Sequence, residues 1–408
     1  MNHQQLIPHL FKTEASKITA VLCKLLGVDH IELAEDIAAE TFLAALENWP
    51  YKGIPENPTA WLYAVAKNKA KNHIIRGHVF SEKIVPQLKN EEPVSDAPEL
   101  DLSEKNIVDS QLQMLFAICH PGIPAEAQIG LALRILCGFG IEEIANAFLS
   151  NKETINKRLF RAKEKLRAEK VKIEFPQKDE IDKRLAPVLT TLYLLFNEGY
   201  YSESSDVVLR EDLCLEAMRL TYMLIENAQT NTPAVNALFA LMCFHSSRFE
   251  ARKSNNGEIV LYHEQDQKLW NYELIAKGAY HLHNASGGDI ITRYHLEANI
   301  AYWFTQKADT PEKWENILQL YNYLLAMEYS PIAALNRTYA LARVKGSAEA
   351  IKEAEALKLT DNPFYFTLLG ELYKNIDLKK ARQHLTRAFE LAKTAADKQL
   401  IRKKLDSV

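Results

Sequence analysis

Residues 141–170, IEEIANAFLSNKETINKRLFRAKEKLRAEK, constrain the fold more than any other stretch of the chain. Ile141, Ile144, Ala145 and Phe148 recur at spacings of three and four, the stripe of a short amphipathic helix. Ser150-Asn151 breaks that pattern, and Ile155, Leu159, Ala162 and Leu166 start a new one. Between these apolar positions stand Lys157, Arg158, Arg161, Lys163, Lys165 and Arg167, and residues 150–172 hold nine Lys/Arg against three Glu. Two helices joined by a short polar turn, the second one basic, form the helix-turn-helix arrangement that places a helix in the DNA major groove. An ordinary helix pair with a solvated basic face satisfies the same pattern. The neighbouring segments therefore have to decide.

Residues 34–49, AEDIAAETFLAALENW, read as a further amphipathic helix, with Asp36 and Glu40 on one face at i, i+4 and Ile37, Phe42 and Leu46 on the apolar side. In 57–76, NPTAWLYAVAKNKAKNHIIR, Asn57-Pro58 suits a helix start and Trp61, Val65 and Ile75 repeat along one side. Lys67, Asn68, Lys69, Lys71, Asn72 and Arg76 decorate the other side. Amides hydrogen-bond base edges, cations hold phosphates, and an aromatic ring stacks on an unpaired base.

The four blocks AEDIAAETFLAALENWP, GIPENPTAWLYAVAKNKAKNHIIR, LFAICHPGIPAEAQIGLALRILCGFGIEEIANAFL and NKETINKRLFRAKEKLR stand in the order found in extracytoplasmic-function sigma factors of bacterial RNA polymerase. Residues 6–170 resemble that family. LAPVLTTLYLLFNEGYY, ALFALMCFHSSRF and LYHEQDQKLWNYELIAKG resemble the long C-terminal extension of one of its subgroups, which ends in tetratricopeptide-like repeats. The resemblance implies an all-α protein: a region 2 bundle over 1–77, a linker over 78–103, a region 4 helix-turn-helix domain over 104–172, and a helical domain over 180–408. It implies docking on a helical coiled coil of the polymerase β′ subunit through Asp36, Glu40, Phe42 and Leu43, with the β subunit as a further contact. Trp61, Asn68, Lys71, Asn72 and Arg76 are expected at the −10 element. Asn156, Lys157, Phe160 and Arg161 are expected to read the −35 element, with Thr154 and Lys163 at phosphates. Family members often carry arginine where this chain has Asn156.

Composition fits such a chain. Only 14 glycines and 15 prolines in 408 residues favour helix throughout. The net charge of −4 means that any DNA contact has to be local, on the basic helix. Cys23, Cys119, Cys137, Cys214 and Cys243 are scattered without metal-ligand spacing and read as buried thiols in a reducing cytoplasm. The start MNHQQLIPHLFKTEASK lacks the pattern of a secretory signal, and no long apolar run suggests a membrane span. No Gly-x-Ser-x-Gly, phosphate loop or His-Glu-x-x-His motif occurs, so neither an enzymatic activity nor a cofactor is expected.

The linker reading of 78–103 rests on three prolines, many charges and little periodicity. A second boundary is expected at 171–180, and 251–268 reads as a loop or short hairpin. Over about 310–395, Trp314 and Tyr321, Leu335 and Tyr339, Ala350, Ala354 and Leu357, then Leu369, Gly370, Tyr373, Ala381, Leu385 and Ala388 give two to three degenerate tetratricopeptide-like units. Such an array suggests a protein or peptide partner. In Asn197-Glu198-Gly199-Tyr200 the glycine reads as a left-handed helix cap. Glu198, His245 and Asp266 read as structural residues and polar contacts rather than as a hydrolase. The rival reading of the whole chain is a one-component helix-turn-helix regulator with a helical-repeat sensor, which has no use for the 34–76 block. A scaffold protein is the other.

Overall fold

A computed structural model describes residues 3–84, 100–148, 150–200, 210–252, 260 and 262–408, the side chains of 3–4, 75–84 and 396 excepted. The described residues are helical without any strand, so the fold is all-α. Two compact units divide the chain, one through Leu192 and one from Tyr193.

The first unit contains α1 (His3–Leu26), α2 (Ile31–Lys52), α3 (Pro58–Ile84), α4 (Glu104–Ile118), α5 (Ala125–Leu131), α6 (Ile141–Ala147), α7 (Lys152–Ala168) and the first part of α8 (Ile181–Tyr200). Helices α1 to α3 enclose a core of Ile18, Leu22, Ile31, Ile37, Phe42 and Leu62. Gly53, at φ +83°, ends α2 by donating its N–H to the Trp49 carbonyl at 3.1 Å, a conformation that a residue with a Cβ adopts at a cost. Asn57 starts α3 as expected, its side chain accepting the Ala60 N–H at 3.0 Å with Pro58 in the first turn. The buried stripe of α3 is Leu62, Ala66 and Ala70, one residue on from the expected Trp61 and Val65, which are only half-buried. Leu46, expected in the core, is 53% exposed. Helix α3 runs on through Ile84, into the segment read as linker; most of that segment lies outside the described residues.

The break at 171–180 is present, yet the unit boundary falls later, inside α8. Arg184 donates to the Phe116 carbonyl at 2.8 Å and Thr191 to Gln128 Oε1 at 2.7 Å, which ties the start of α8 to α4 and α5.

The second unit continues with α9 (Glu211–Glu226), α10 (Pro233–Ser246), α11 (Tyr272–Ala285), α12 (Arg293–Trp303), α13 (Pro311–Met327), α14 (Pro331–Lys345), α15 (Ser347–Leu357), α16 (Pro363–Tyr373), α17 (Leu378–Leu391) and α18 (Ala395–Asp406). Helix α10 is apolar on nearly every side and is correspondingly buried, wrapped by α9, α11 and α12. Gly199 is not a left-handed cap: α8 continues through it, and a Cβ there would stand 2.7 Å from the Arg210 carbonyl oxygen and 3.0 Å from the Cys214 nitrogen. The glycine is needed for close approach to the start of α9. The expected 251–268 loop lies largely outside the described residues; what is described forms short 3₁₀ turns, with no hairpin. From α13 onward, consecutive helices pack in sequence. Ala350, Ala354, Leu369, Tyr373 and Ala381 share one buried cluster, Trp314, Ile317 and Tyr321 another. Gly370 lets α16 and α17 approach, since a Cβ would meet Leu385 at 2.6 Å.

Candidate nucleic-acid interface

Helix α6 starts with the Gly140 N–H bonded to Glu143 Oε2 at 2.7 Å, and ends in a turn closed by Ser150 N–H to Ala145 O at 2.8 Å. Asn151 then caps α7, its side chain accepting the Thr154 N–H at 2.7 Å. Ile155, Leu159, Ala162 and Leu166 are buried, as their spacing predicts. Leu159 seats on Gly130 of α5, where a Cβ would stand 3.0 Å away. Burial of this stripe turns Thr154, Asn156, Lys157, Phe160 and Arg161 outward together, all exposed. Phe160 is 60% exposed.

The cations of α7 are not equivalent. Lys157 pairs with Glu153 at 2.6 Å, Lys152 with Glu142 at 2.9 Å and Arg158 with Glu126 at 3.1 Å. These pairs are largely exposed and worth little, so they leave the cations available to an incoming anion. Arg161 has no carboxylate partner among the described residues. Lys163 differs from all of them. Although expected at a phosphate, it is only 8% exposed, and its ammonium sits 2.6 Å from Glu35 and 3.5 Å from Glu32. In this arrangement it faces α2 and the turn before it, because position 163 falls beside Ala162 and Leu166 on the inner side of α7.

On α3, Asn68, Lys71 and Asn72 are exposed on one face. Trp61 is half-buried, edge-on to Trp49 at 5.4 Å between ring centres. Arg76 lies on the helix, its side chain outside the described residues. On α2, Asp36, Glu40 and Leu43 are exposed, whereas Phe42 is 3% exposed and packs edge-on against Phe11 at 5.1 Å. Phe42 therefore supports the helix from within rather than presenting a ring to a partner. Glu40 also accepts from Lys69 at 2.9 Å and so ties α2 to α3.

Residues 10–78 match the family model for sigma-70 region 2, so the helices that carry these two faces are those the model describes. An uncharacterized protein of Rhizobium meliloti is 34% identical over 388 residues, 92% of this chain and 90% of its own length. The ECF RNA polymerase sigma-E factor of Haemophilus influenzae is 24% identical over 153 residues, 36% of this chain and 79% of that protein. The chain carries a sigma-70 region 2 domain. The ECF RNA polymerase sigma-E factor of Escherichia coli is 28% identical over 107 residues, 26% of this chain and 56% of its own length. Residues 184–286 match a family of unknown function (DUF6596). No solved structure matches the chain.

Around this region 2 domain the structure also brings together residues that the sequence did not single out. Glu35 accepts from Arg134 at 2.6 Å as well as from Lys163, and Glu32 pairs with Arg167. Burial works against the Glu32 charge, but its own backbone N–H, Lys163 and Arg167 outweigh that and hold its carboxyl below the ordinary range. Leu46 and Leu43 border a groove of about 540 Å³ whose other wall is Cys137 to Gly140. Spacing gave Glu32 and Glu35 no role, since nothing local marks a partner about 130 residues away.

In the second unit, His245 is buried with its ring 4.4 Å from that of Tyr200; burial, then Arg248 and Arg252, push its pKa well below 6.5. Asp266 accepts the Lys268 N–H at 2.9 Å in a local turn. All five cysteines are buried free thiols, and burial raises those of Cys119 and Cys243 to about 12. Among the described residues no group of three His, Cys, Asp or Glu could hold a metal ion, and no helix is long and apolar enough to cross a membrane.

Proposed function

We propose that this chain is a promoter-specificity subunit that binds core RNA polymerase and directs it to −10 and −35 elements in the cytoplasm. The outward face of α7 carries the reading: Thr154, Asn156, Lys157, Phe160 and Arg161 lie exposed together behind a side-chain-capped turn. Arg161, with no carboxylate partner among the described residues, is the base-reading candidate; Thr154 and Lys157 meet phosphates. On α3, Asn68, Lys71, Asn72 and Arg76 meet the −10 element, and the half-buried Trp61 stands against an unpaired base. Asp36, Glu40 and Leu43 of α2, joined by the exposed Leu46, meet a basic and apolar helical surface of the polymerase. The region 2 match disfavours the one-component regulator, which has no need of that domain.

The second unit is proposed to act in cis, its α13 to α18 hairpins forming tetratricopeptide-like units for a protein or peptide partner. Run-off transcription with core polymerase tests the reading. The full chain is expected to start transcripts at discrete promoters. Arg161→Ala is expected to weaken −35 binding by about 1–3 kcal/mol, unequally among sequences. A truncation after Leu192, rather than at 180, keeps Arg184 and Thr191 on their partners and isolates the contribution of the second unit. Equal transcription by a folded truncation under all conditions would remove the cis role.

A further inference from the structure

The last two helices of the second unit carry a charge unlike that of the whole chain. Residues 378–404 hold nine Lys/Arg against two Asp/Glu, in a chain of net charge −4. That density of cations matches the basic stretch at 150–172, with nine against three. The fold gathers them on an outward surface. Ala381, Leu385 and Ala388 turn the inner side of α17 into the protein. Lys379, Arg382, Gln383, Thr386 and Arg387 follow at helical spacing on the opposite side, all exposed, and line one shallow groove with Glu390. Ile401 packs with Ala388 and Ala392, which seats α18 against α17. Arg402 of α18 lies 5.3 Å from the ring centre of Phe389, so its charge adjoins α17, and the exposed Lys398 stands one turn before it.

Two observations separate this surface from an ordinary solvated helix face. The first is pairing. Arg387 meets Glu390 at 2.9 Å, an exposed and exchangeable pair. Lys379, Arg382, Lys393 and Lys398 have no carboxylate partner among the described residues. Like charges gathered on one hairpin repel one another, and an external anion relieves that repulsion. The second is the lack of apolar groups, since no large apolar residue lines the groove. Surfaces that dock proteins concentrate aromatic and apolar side chains at their centre and are poor in Lys. Tyr323, Met327, Tyr329 and Ile332, exposed on α13, on α14 and in the turn between them, have that character. The α17 face instead offers cations, an amide and a hydroxyl, the set that holds a sugar-phosphate backbone.

We infer that the outward face of α17, extended by α18, is a sequence-independent contact for the phosphate backbone of duplex DNA. It goes beyond the reading of α3 and α7, because it needs no element of defined sequence. Helix α17 has 14 residues. It is therefore about 21 Å long, and over that length each strand of B-form DNA presents about six phosphates. Lys379 and Arg387 stand about 12 Å apart along the helix axis, enough for several cations to meet phosphates at once. Each contact releases condensed counterions, so the affinity gained is largest at low salt and the same for every sequence. Tethered to a chain that reads −10 and −35 elements, such a contact raises the occupancy of a promoter without altering which promoter is chosen.

The test uses the full chain and a mixed-sequence duplex without promoter elements, with binding followed by fluorescence anisotropy over a range of salt. Lys379→Gln with Arg382→Gln and Lys398→Gln is expected to weaken binding about tenfold or more at about 0.1 M salt. The slope of log affinity against log salt is expected to flatten by about three. Glu390→Gln frees Arg387 and is expected to do the reverse, steepening the slope by about one. A gain of that kind cannot come from a misfolded helix. Lys345→Gln with Lys352→Gln and Lys358→Gln removes three exposed cations of the same unit outside α17 and α18, and is expected to leave the slope unchanged. An equal loss in this control overturns the contact, because net charge alone then accounts for the binding. A slope that ignores both α17 variants overturns it too, as does an unsubstituted chain that binds no duplex at low salt. If the triple α17 variant binds duplex normally but loses core polymerase, the face docks a protein and the DNA contact is overturned. Arg161→Ala reads α7 separately: its loss depends on sequence, whereas that of the α17 variant is the same for every duplex.

Discussion

The two units bury charge in different ways. In the first, the cations of α7 stand at the surface or form links between helices that carboxylates close: Lys157 with Glu153, Lys163 with Glu35, Arg167 with Glu32. In the second, beside exposed pairs such as Arg293 with Glu328 and Arg387 with Glu390, two cations go inward among rings. Lys313 is 1% exposed and donates to Tyr262 Oη at 2.8 Å and the Gln306 carbonyl at 3.1 Å. Burial lowers its pKa, opposed by Asp309 and aided by Arg248 and Arg343. Arg248, 6% exposed, lies 5.6 Å from the Tyr262 ring centre and 5.9 Å from that of Phe304. A guanidinium close to aromatic rings is attracted by their faces without needing a carboxylate, which suits a rigid interior. Charge at a surface can be exchanged for a partner's charge; charge inside fixes a packing. The comparison separates the exposed cations of α7, which can exchange partners, from Lys313 and Arg248, which cannot without unpacking their surroundings.

The largest expected effect falls on the exchangeable side. Asp36→Lys with Glu40→Lys reverses one exposed face of α2 without touching Ile37 or Phe42 beneath it. Like charges brought together at an interface cost several kcal/mol, so core-polymerase affinity is expected to fall about a hundredfold or more. Circular dichroism is expected to show the helices intact. Retained binding at physiological salt would count against the polymerase reading and against the contrast between the units.

On the rigid side, Gly199→Ala puts a methyl group 2.7 Å from a carbonyl oxygen and 3.0 Å from a backbone nitrogen, which cannot swing away as a side chain would. A loss of about 2–3 kcal/mol is expected in denaturant unfolding. A neutral outcome would mean that the junction of α8 and α9 adapts, and that the second unit is softer than its packing suggests.

The smallest effect is a pH dependence. His245, His281, His295 and His384, all in the second unit, have pKa values pushed below 6.5, first of all by burial. Unfolded, each takes up a proton as the pH falls through about 6.5; folded, each resists until lower pH. The unfolded state then holds more protons, so stability declines as pH drops below about 6.5 toward the folded values. Thermal unfolding at pH 7.5 and pH 5.5 is expected to show the decline, and His281→Gln to reduce it. An identical pH response in that variant would mean that His281 is not among the groups responsible.

Much of the architecture was written locally. Asn57-Pro58 announced one helix start, and the same device of a capping side chain followed by proline opens α10, α13, α14 and α16, at Thr232, Thr310, Ser330 and Asn362. The α7 stripe was legible because four apolar positions at helical spacing fix which side is buried and so which side is left for solvent. The stripe of α3 slipped by one residue because Trp61 and Val65 are larger and more apolar than Ala66 and Ala70, yet close packing of α3 selects the small ones. Phe42 and Leu46 exchanged expected roles for a related reason. Both are apolar and four apart, and only the position of α1 decides that Phe42 meets Phe11 while Leu46 faces outward.

The sequence by itself determined the helical class, the turn before α7, the outward set Thr154, Asn156, Lys157, Phe160 and Arg161, and the region 2 domain. These follow from spacing within a few turns of chain, where each residue's neighbours are its own helix. Tertiary structure decided which charges meet. Lys163 looked like any other cation of a basic helix, and Glu35 like any acidic surface residue. Only the docking of α7 on region 2 brings them to 2.6 Å, across 128 positions of sequence. Likewise Gly199 reads as a cap until α9 is seen 2.7 Å from where its side chain would begin. Pairing of distant charges and close approach of backbones depend on where whole helices come to rest, and no local pattern encodes that.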